Sequence, residues 1–160
     1  RKGLIACCIL FACRSKKASR SIKEISDMCQ IPIPMINKTS KIFQELMKDI
    51  LDKETIPCEA TDSNELIKRY VNKLNFDKKI EWTIIKECVR IDILMKDSGI
   101  IDCKTPSSIT AGIILFVCTN KKIPIKKSNI ADTLHVSVVT INKIYKLIEE
   151  HVNQLNTTSN

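Results

Sequence analysis

Glycine and proline are scarce in this 160-residue chain, which contains three and five of them respectively. A fold of many short strands needs both residues at its tight turns, so the composition argues against an all-β architecture. The three glycines are isolated, which excludes a glycine-rich phosphate-binding loop. With 44% hydrophobic and 28% charged residues, the chain is expected to be globular with a substantial core.

Histidine is scarcer still, and neither of the two histidines has partners suited to catalysis. His135 lies in a predicted turn and His151 near the C-terminus, and neither is accompanied by a cysteine or carboxylate in a nucleophile–base pattern. Asp27 and Asp132 recur beside basic residues, which favours local ion pairs over acid–base chemistry. We therefore expect a protein that is not an enzyme and has no small-molecule substrate.

The chain contains eight cysteines but no C-x-x-C pair and no histidine at zinc-finger spacing. We therefore expect no metal site and no cofactor in this chain. Neither a secretory signal nor a membrane-spanning run is recognisable, so we expect no membrane partner and a reducing intracellular compartment. Five cysteines lie in apolar helical patterns and are expected to be buried: Cys7, Cys8, Cys13, Cys88 and Cys118.

Positive charge is concentrated in two blocks of a chain whose net charge is +8. Residues 14–41 carry seven basic and two acidic side chains, and residues 104–146 carry seven basic and one acidic. Residues 58–103 between them carry eight basic and nine acidic side chains. Such segregation is typical of a protein that binds a polyanion, although a lysine-rich solvated surface is the competing interpretation.

A gapless internal repeat relates the two basic blocks at an offset of 105 residues. Residues 6–43 and 111–148 are identical at thirteen of 38 positions. A short helix, a tight turn and a longer helix are the layout of a helix-turn-helix, although any antiparallel helix pair can share it. Each copy predicts an apolar helix (4–13 and 107–118), a short helix (21–28 and 126–134), a turn and a longer helix (34–51 and 137–152).

Local signals refine the second copy. Thr105 and Pro106 are suited to the N-cap and the first position of its apolar helix. One buried stripe is predicted along its last helix, formed by Val138, Ile141, Ile144, Tyr145, Ile148 and Val152.

Two further helices, 64–74 and 77–96, are expected before the second apolar helix. Asp77 is suited to cap the second of them, Gly99 to stop it and Trp82 to pack in the core. The first copy has no such pair, so the chain is expected to begin part-way through its first module.

Four stretches of the chain resemble the core of transcription factor IIB (TFIIB). "RKGLIACCILFACR" followed by "RSIKEISD" is similar to the first cyclin-type repeat of that family. "KTPSSITAGIILFVC" and "IADTLHVSVVTINKIYKLI" are similar to the second repeat. The modest similarity is that of a divergent member, such as the TFIIB-like factor of a large cytoplasmic DNA virus.

The resemblance implies an all-α fold of two cyclin-like repeats, each ending in a helix-turn-helix. The family has five helices in each repeat, so the first copy here is expected to be truncated at its start. Residues 1–57 are then expected to form part of the first repeat, 58–63 a linker, 64–155 the second repeat and 156–160 a tail. The resemblance implies that a zinc ribbon is expected only in a missing N-terminal part.

The resemblance also implies a function, namely that of a general transcription initiation factor core. Such a core binds double-stranded promoter DNA together with the TATA-binding protein and helps to recruit RNA polymerase. It would act in the nucleus if cellular and at a cytoplasmic replication site if viral. A cyclin-like protein-interaction module that activates a kinase is the alternative, because a fold does not fix a function.

Site residues follow from the same resemblance. Val139 and the Thr140 methyl are suited to thymine methyls, and Asn142 to two hydrogen bonds with adenine. The expected DNA-binding residues are Lys104, Lys126, Lys127, Ser137, Val139, Thr140, Asn142, Lys143 and Lys146. The expected contacts of the first repeat with protein partners or phosphates are Arg14, Lys16, Lys17, Arg20, Lys23, Lys38 and Lys41.

The sequence departs from the family pattern in three places. Asn142 stands where the animal pattern has an arginine suited to guanine, so an A/T-leaning preference is expected. His135 replaces a turn glycine, and Ile33-Pro34 replaces a lysine pair in the first repeat. The first helix-turn-helix is therefore expected to be less suited to reading DNA than the second.

Overall fold

The computed structural model describes residues 1–16, 18, 20–51, 63–101 and 104–158. Within these ranges all regular structure is helical and no strand is present, which confirms the predicted all-α fold. The predicted linker, 58–63, lies outside the described residues except for Ser63. The helices are α1 (Lys2–Ser15), α2 (Ile22–Cys29), α3 (Ile33–Leu51), α4 (Ser63–Lys73), α5 (Lys78–Asp97), α6 (Pro106–Asn120), α7 (Lys127–Leu134) and α8 (Val138–Thr158).

The chain divides into two compact units, Arg1–Glu65 (unit 1) and Leu66–Asn160 (unit 2). In unit 1, α1 packs against α2 and α3. The rings of Phe11 and Phe43 add an aromatic contact, with centroids 4.7 Å apart. The buried core of this unit consists of Ala6, Cys7, Leu10, Ile25, Ile31 and Ile36.

A capping box begins α2. The Ser21 hydroxyl accepts a hydrogen bond from the Glu24 backbone N–H at 3.2 Å, and the Glu24 carboxylate accepts one from the Ser21 N–H at 3.0 Å. Both exchanges satisfy backbone donors that the first helical turn cannot satisfy internally.

Ser21→Ala is therefore expected to lower the free energy of unfolding of unit 1 by about 1 kcal/mol. Thr105→Ala is the matched control, because Thr105 is the N-cap of α6 but its side chain makes no capping bond. Its hydroxyl contacts that of Ser108 at 2.8 Å instead, so the loss should stay below about 0.5 kcal/mol. Amide hydrogen exchange in each unit measures both, and equal losses would contradict the capping role of Ser21.

The centre of unit 2 is α6, in which residues 111–118 are all buried. A helix that is apolar on all sides is stable only when neighbours cover it, and α5, α7 and α8 pack against it. α8 approaches closely at Gly112, where an added β-carbon would lie 2.6 Å from the Ile144 β-carbon.

Among the described residues, no helix has the length and apolar character needed to cross a membrane.

The two copies adopt the same backbone at the offset that the sequence predicts. Gln30 ends α2 with φ 54° and ψ 45°, and His135 ends α7 with φ 54° and ψ 42°. The carbonyls of Cys13 and Cys118 each accept a hydrogen bond from the amide five residues later, at 2.9 Å and 2.8 Å. The repeat of the sequence is therefore a repeat of local structure.

Three expectations about burial are wrong. Trp82 is 71% exposed, because α5 buries its other face, which carries Ile84 and Cys88. Val138 is 38% exposed at the start of α8, where the chain has only just left the turn. Cys8 is exposed on α1, beside the buried Cys7.

The helix ends agree with the predictions to within two residues, except that α8 continues past the predicted end at 152 to Thr158. Asp77 caps α5 through a hydrogen bond of 3.0 Å from the Lys79 amide, and Gly99 follows its end with φ 68°. Both signals are confirmed.

The two recurring aspartates differ in their surroundings. Asp27 forms the expected ion pair, with Lys23 Nζ at 3.1 Å. Asp132 is exposed and forms no salt bridge within the described part of the chain, so the expected pair is wrong there. Among the described residues of unit 2, the buried carboxylate is that of Asp92, which Lys96 Nζ contacts at 2.8 Å.

Candidate nucleic-acid interface

α7 and α8 form a helix-turn-helix. The left-handed backbone of His135 turns the chain between them. A non-glycine residue adopts that conformation at a cost of about 1–2 kcal/mol, so packing on both sides must hold it. That packing comes from the buried side chains of Ile130, Leu134, Ile141, Ile144 and Ile148.

The opposite face of α8 carries exposed groups of different chemistry. Val139 is 65% exposed, Lys143 and Lys146 are exposed, and Asn142 is half-buried. Their spacings of three, four and seven residues put all four on one side of the helix. One apolar group, one amide and two cations are therefore presented together.

Two hydroxyl groups at the start of α8 are occupied with each other. The Ser137 hydroxyl accepts a hydrogen bond from the Thr140 amide at 3.2 Å, and the two side-chain oxygens lie 2.8 Å apart. Ser137 thus serves as a helix cap, and Thr140 is oriented by it. The Ser137 and Thr140 hydroxyls are therefore engaged within the chain. Of the groups predicted to contact DNA on these two residues, the Thr140 methyl remains available.

A hydrogen bond between side chains joins the two helices. Lys127 Nζ, at the start of α7, donates to Asn142 Oδ1 at 2.8 Å. Asn142 needs both its oxygen and its nitrogen to bind adenine, and in this arrangement one of the oxygen's two lone pairs is already used. The pair presents hydrogen-bond donors side by side, on an ammonium and an amide.

The lysines of unit 2 that are predicted to bind DNA are all exposed, and none forms a salt bridge within the described part of the chain. Lys126 lines an open groove of about 840 Å³ with Lys73, Phe76 and Asn129 among its other walls. The α7–α8 contacts bring Lys127 and Asn142 together, whereas Lys104 lies before α6. The exposed lysines of unit 2 that are predicted to bind DNA are Lys104, Lys126, Lys127, Lys143 and Lys146.

The predicted contacts of unit 1 are more engaged with their own chain. The guanidinium of Arg14 lies over the Phe11 ring at 5.6 Å, and Arg20 donates to the Ala18 carbonyl at 2.7 Å. Lys23 is paired with Asp27. Lys16, Lys38 and Lys41 are exposed, and Lys17 lies outside the described residues.

The buried thiols are chemically quiet. Burial raises the pKa of Cys118 to about 12 and also raises the pKa of Cys88, where the neighbouring Cys118 and acidic groups add to the effect. Within the described residues, no cluster of histidine, cysteine or acidic side chains could hold a metal ion.

At pH 8, iodoacetamide is expected to modify Cys8 rapidly and to leave Cys88 and Cys118 intact, because the thiolate is the reactive form. Peptide mass spectrometry, with the urea-unfolded chain as control, measures the difference. Modification of native Cys118 as fast as Cys8 would contradict it.

The raised thiol pKa values also predict a pH dependence of stability. In the unfolded chain a cysteine thiol has a pKa near 9.0, so Cys88 and Cys118 should lower the stability of unit 2 as pH rises from 9 toward 12.

Sequence reasoning missed two features of this unit. The Lys127–Asn142 hydrogen bond joins residues fifteen apart on different helices, and no periodicity marks such a pair. The internal repeat gives only a weak signal for this pair. Asn142 has an identical counterpart in Asn37 of the first copy, but the position equivalent to Lys127 is occupied there by Ile22. The second feature is the exposed Trp82.

The fold and the site define an all-α protein with one helix-turn-helix in each unit. A family model described as the transcription factor TFIIB repeat matches residues 1–46 and 57–151. The chain therefore belongs to the TFIIB family, as its resemblance implied.

Relatives of the chain come from a virus and from cells. It is 31% identical over 153 residues to a transcription initiation factor IIB-like protein of Acanthamoeba polyphaga mimivirus, covering 92% of this chain and 32% of the relative. It is 29% identical over 144 residues to transcription initiation factor IIB of Dictyostelium discoideum, covering 90% and 42%. The chain thus spans about a third to two fifths of the length of these relatives, and it is a divergent member.

Proposed function

We propose that this chain is the core of a general transcription initiation factor, which binds promoter DNA with the TATA-binding protein and helps to recruit RNA polymerase. Membership of the TFIIB family supports the role, and the relatives named above are initiation factors. The second helix-turn-helix supplies the main contact with the DNA.

The observation that carries the proposal is the outer face of α8. Lys143 and Lys146 point away from the core without acidic partners, on the same side as the exposed Val139. Unpaired cations suit the phosphates that flank a major groove, and an exposed apolar group suits a thymine methyl. A helix of this composition has no need of either feature for folding.

An electrophoretic mobility assay tests the proposal on a TATA-containing duplex, with and without the TATA-binding protein. We expect a slower-migrating ternary complex that weakens steeply with salt. Absence of that complex at about 0.1 M salt, with the TATA-binding protein itself bound, would sink the proposal.

The Lys127–Asn142 pair should control sequence preference. Asn142→Ala is expected to cost about 1–3 kcal/mol on the preferred duplex and much less on others. Lys127→Met releases the Asn142 oxygen, so it should shift the preference toward adenine at the contacted position. Selection from a pool of randomised duplexes measures both changes, and an equal loss on every duplex would refute the base-reading role.

A further inference from the structure

An apolar stripe runs along the outside of α5. Trp82, the single tryptophan of the chain, is 71% exposed, and Ile93 is 49% exposed. Val89 lies half-buried between them. Spacings of seven and eleven residues bring all three to one side of the helix, opposite the buried Ile84.

Three cations flank the tryptophan. Lys78, Lys79 and Lys86 are exposed, and none of them forms a salt bridge within the described part of the chain. The neighbouring cations of the helix differ, since Arg90 pairs with Glu87 at 3.1 Å and Lys96 with Asp92 at 2.8 Å. On α5, the exposed cations without a salt bridge are therefore those around the indole.

Folding of α5 does not explain this surface. An exposed indole contributes little to the core, and none of the three lysines has a salt-bridge partner in the described residues that would stabilise the helix. Tryptophan is one of the residues most enriched among binding hot spots. The surface lies on a helix that belongs to neither helix-turn-helix, so it is separate from the site described above.

We propose that this surface, the Trp82 face (Lys78, Lys79, Trp82, Lys86, Val89 and Ile93), binds an acidic amphipathic helix of a partner protein. The partner's carboxylates meet the three lysines, and its apolar stripe covers Trp82, Val89 and Ile93. Charge complementarity fixes the sign of the partner. The two aliphatic side chains favour a protein segment over a nucleic acid, since a phosphate backbone has no apolar stripe at helical spacing to cover them.

The probe is a synthetic peptide of about 18 residues, with leucines at helical spacing and glutamates elsewhere. Trp82 reports binding directly, because no other tryptophan contributes to the emission. We expect a blue shift of the emission as the indole leaves water, and weaker binding as salt rises. A peptide of the same composition with the leucines dispersed around the helix should bind at least tenfold more weakly.

Variants separate the contributions. Trp82→Ala is expected to weaken binding of a fluorescein-labelled peptide by about 30-fold, the range of aromatic hot spots. Lys86→Glu should weaken binding of this peptide and should strengthen binding of a second peptide in which lysines replace the glutamates. Lys121→Glu, an exposed lysine at the end of α6, is the control and should leave the affinity unchanged. Circular dichroism checks that each variant is folded.

Two results would overturn the proposal. One is an affinity of the peptide that Trp82→Ala leaves unchanged. The other is a blue shift produced by a DNA duplex and not by the peptide, which would make the Trp82 face a nucleic-acid surface. Neither depends on the ternary complex, so failure here and failure of the proposed function are distinguishable.

Discussion

Replacing Lys143 and Lys146 by glutamate is expected to lower the affinity for a TATA-containing duplex by roughly 100-fold at about 0.1 M salt. Each lysine contributes a charge-assisted contact to phosphate, and the loss of about 1.5 kcal/mol for each gives that factor. The slope of log K against log salt should fall in magnitude by about two, one for each contact. Fluorescence anisotropy of a labelled duplex over a salt series measures both quantities.

The internal repeat provides the control. Lys38 and Lys41 stand 105 residues before Lys143 and Lys146, on the exposed side of α3, so their replacement makes the same change in net charge. Here we assign Lys38 and Lys41 to a protein partner rather than to phosphates. We therefore expect the Lys38→Glu, Lys41→Glu double variant to bind the duplex alone within about threefold of the parent, since long-range repulsion is largely screened at this salt. If both double variants lost affinity equally, net charge rather than the α8 face would be responsible.

Gly112→Val is expected to lower the free energy of unfolding of unit 2 by about 3 kcal/mol, and Gly112→Ala by about 1–2 kcal/mol. An added β-carbon meets the branched β-carbon of Ile144 at 2.6 Å and the backbone nitrogen of Tyr145 at 3.3 Å. Overpacking of this kind costs about 1–3 kcal/mol, more than the helix propensity that alanine gains over glycine. Amide exchange within α6 and α8 measures the loss.

Two further variants test the cause. Ile144→Ala in the Gly112→Ala background should cost less than the sum of the single changes, because it removes the side chain in the way. Gly3→Ala meets the Thr39 hydroxyl at 2.6 Å, a group that can rotate away from its 2.8 Å hydrogen bond to the Met35 carbonyl. It should cost less than Gly112→Ala. Strict additivity at Gly112 and Ile144 would place the cause of destabilisation elsewhere.

Much of the fold was predictable because the relevant signals are local. The run at 111–118 is apolar on every side, and such a helix has to be buried. The 105-residue offset carried each helix of one copy onto the other, and the turns at Gln30 and His135 agree to within a few degrees. The prediction that Trp82 packs in the core was wrong because hydrophobicity alone does not tell which side of an amphipathic helix a large residue occupies. The position of Ile84 and Cys88 on α5 was the better guide.

The site was predictable residue by residue but not as an arrangement. The spacings of four and seven residues from Val139 to Lys143 and Lys146 are sufficient to place all three on one face of a helix. The engagement of Asn142 with Lys127 depends on how two helices pack and on the conformation of a long side chain. Neither is encoded in a spacing rule. The A/T-leaning preference assumed an unengaged Asn142 and stays a prediction.

The shared backbone of the two copies has an evolutionary consequence. A duplicated gene leaves paired positions that began with the same residue, so the present chain records where the halves diverged. Leu10 and Leu115 are still alike and both buried, as the common architecture demands. Pro34 and Val139 are both exposed and no longer alike. Packing does not hold matched surface positions alike, so these two residues could diverge without disturbing the shared architecture.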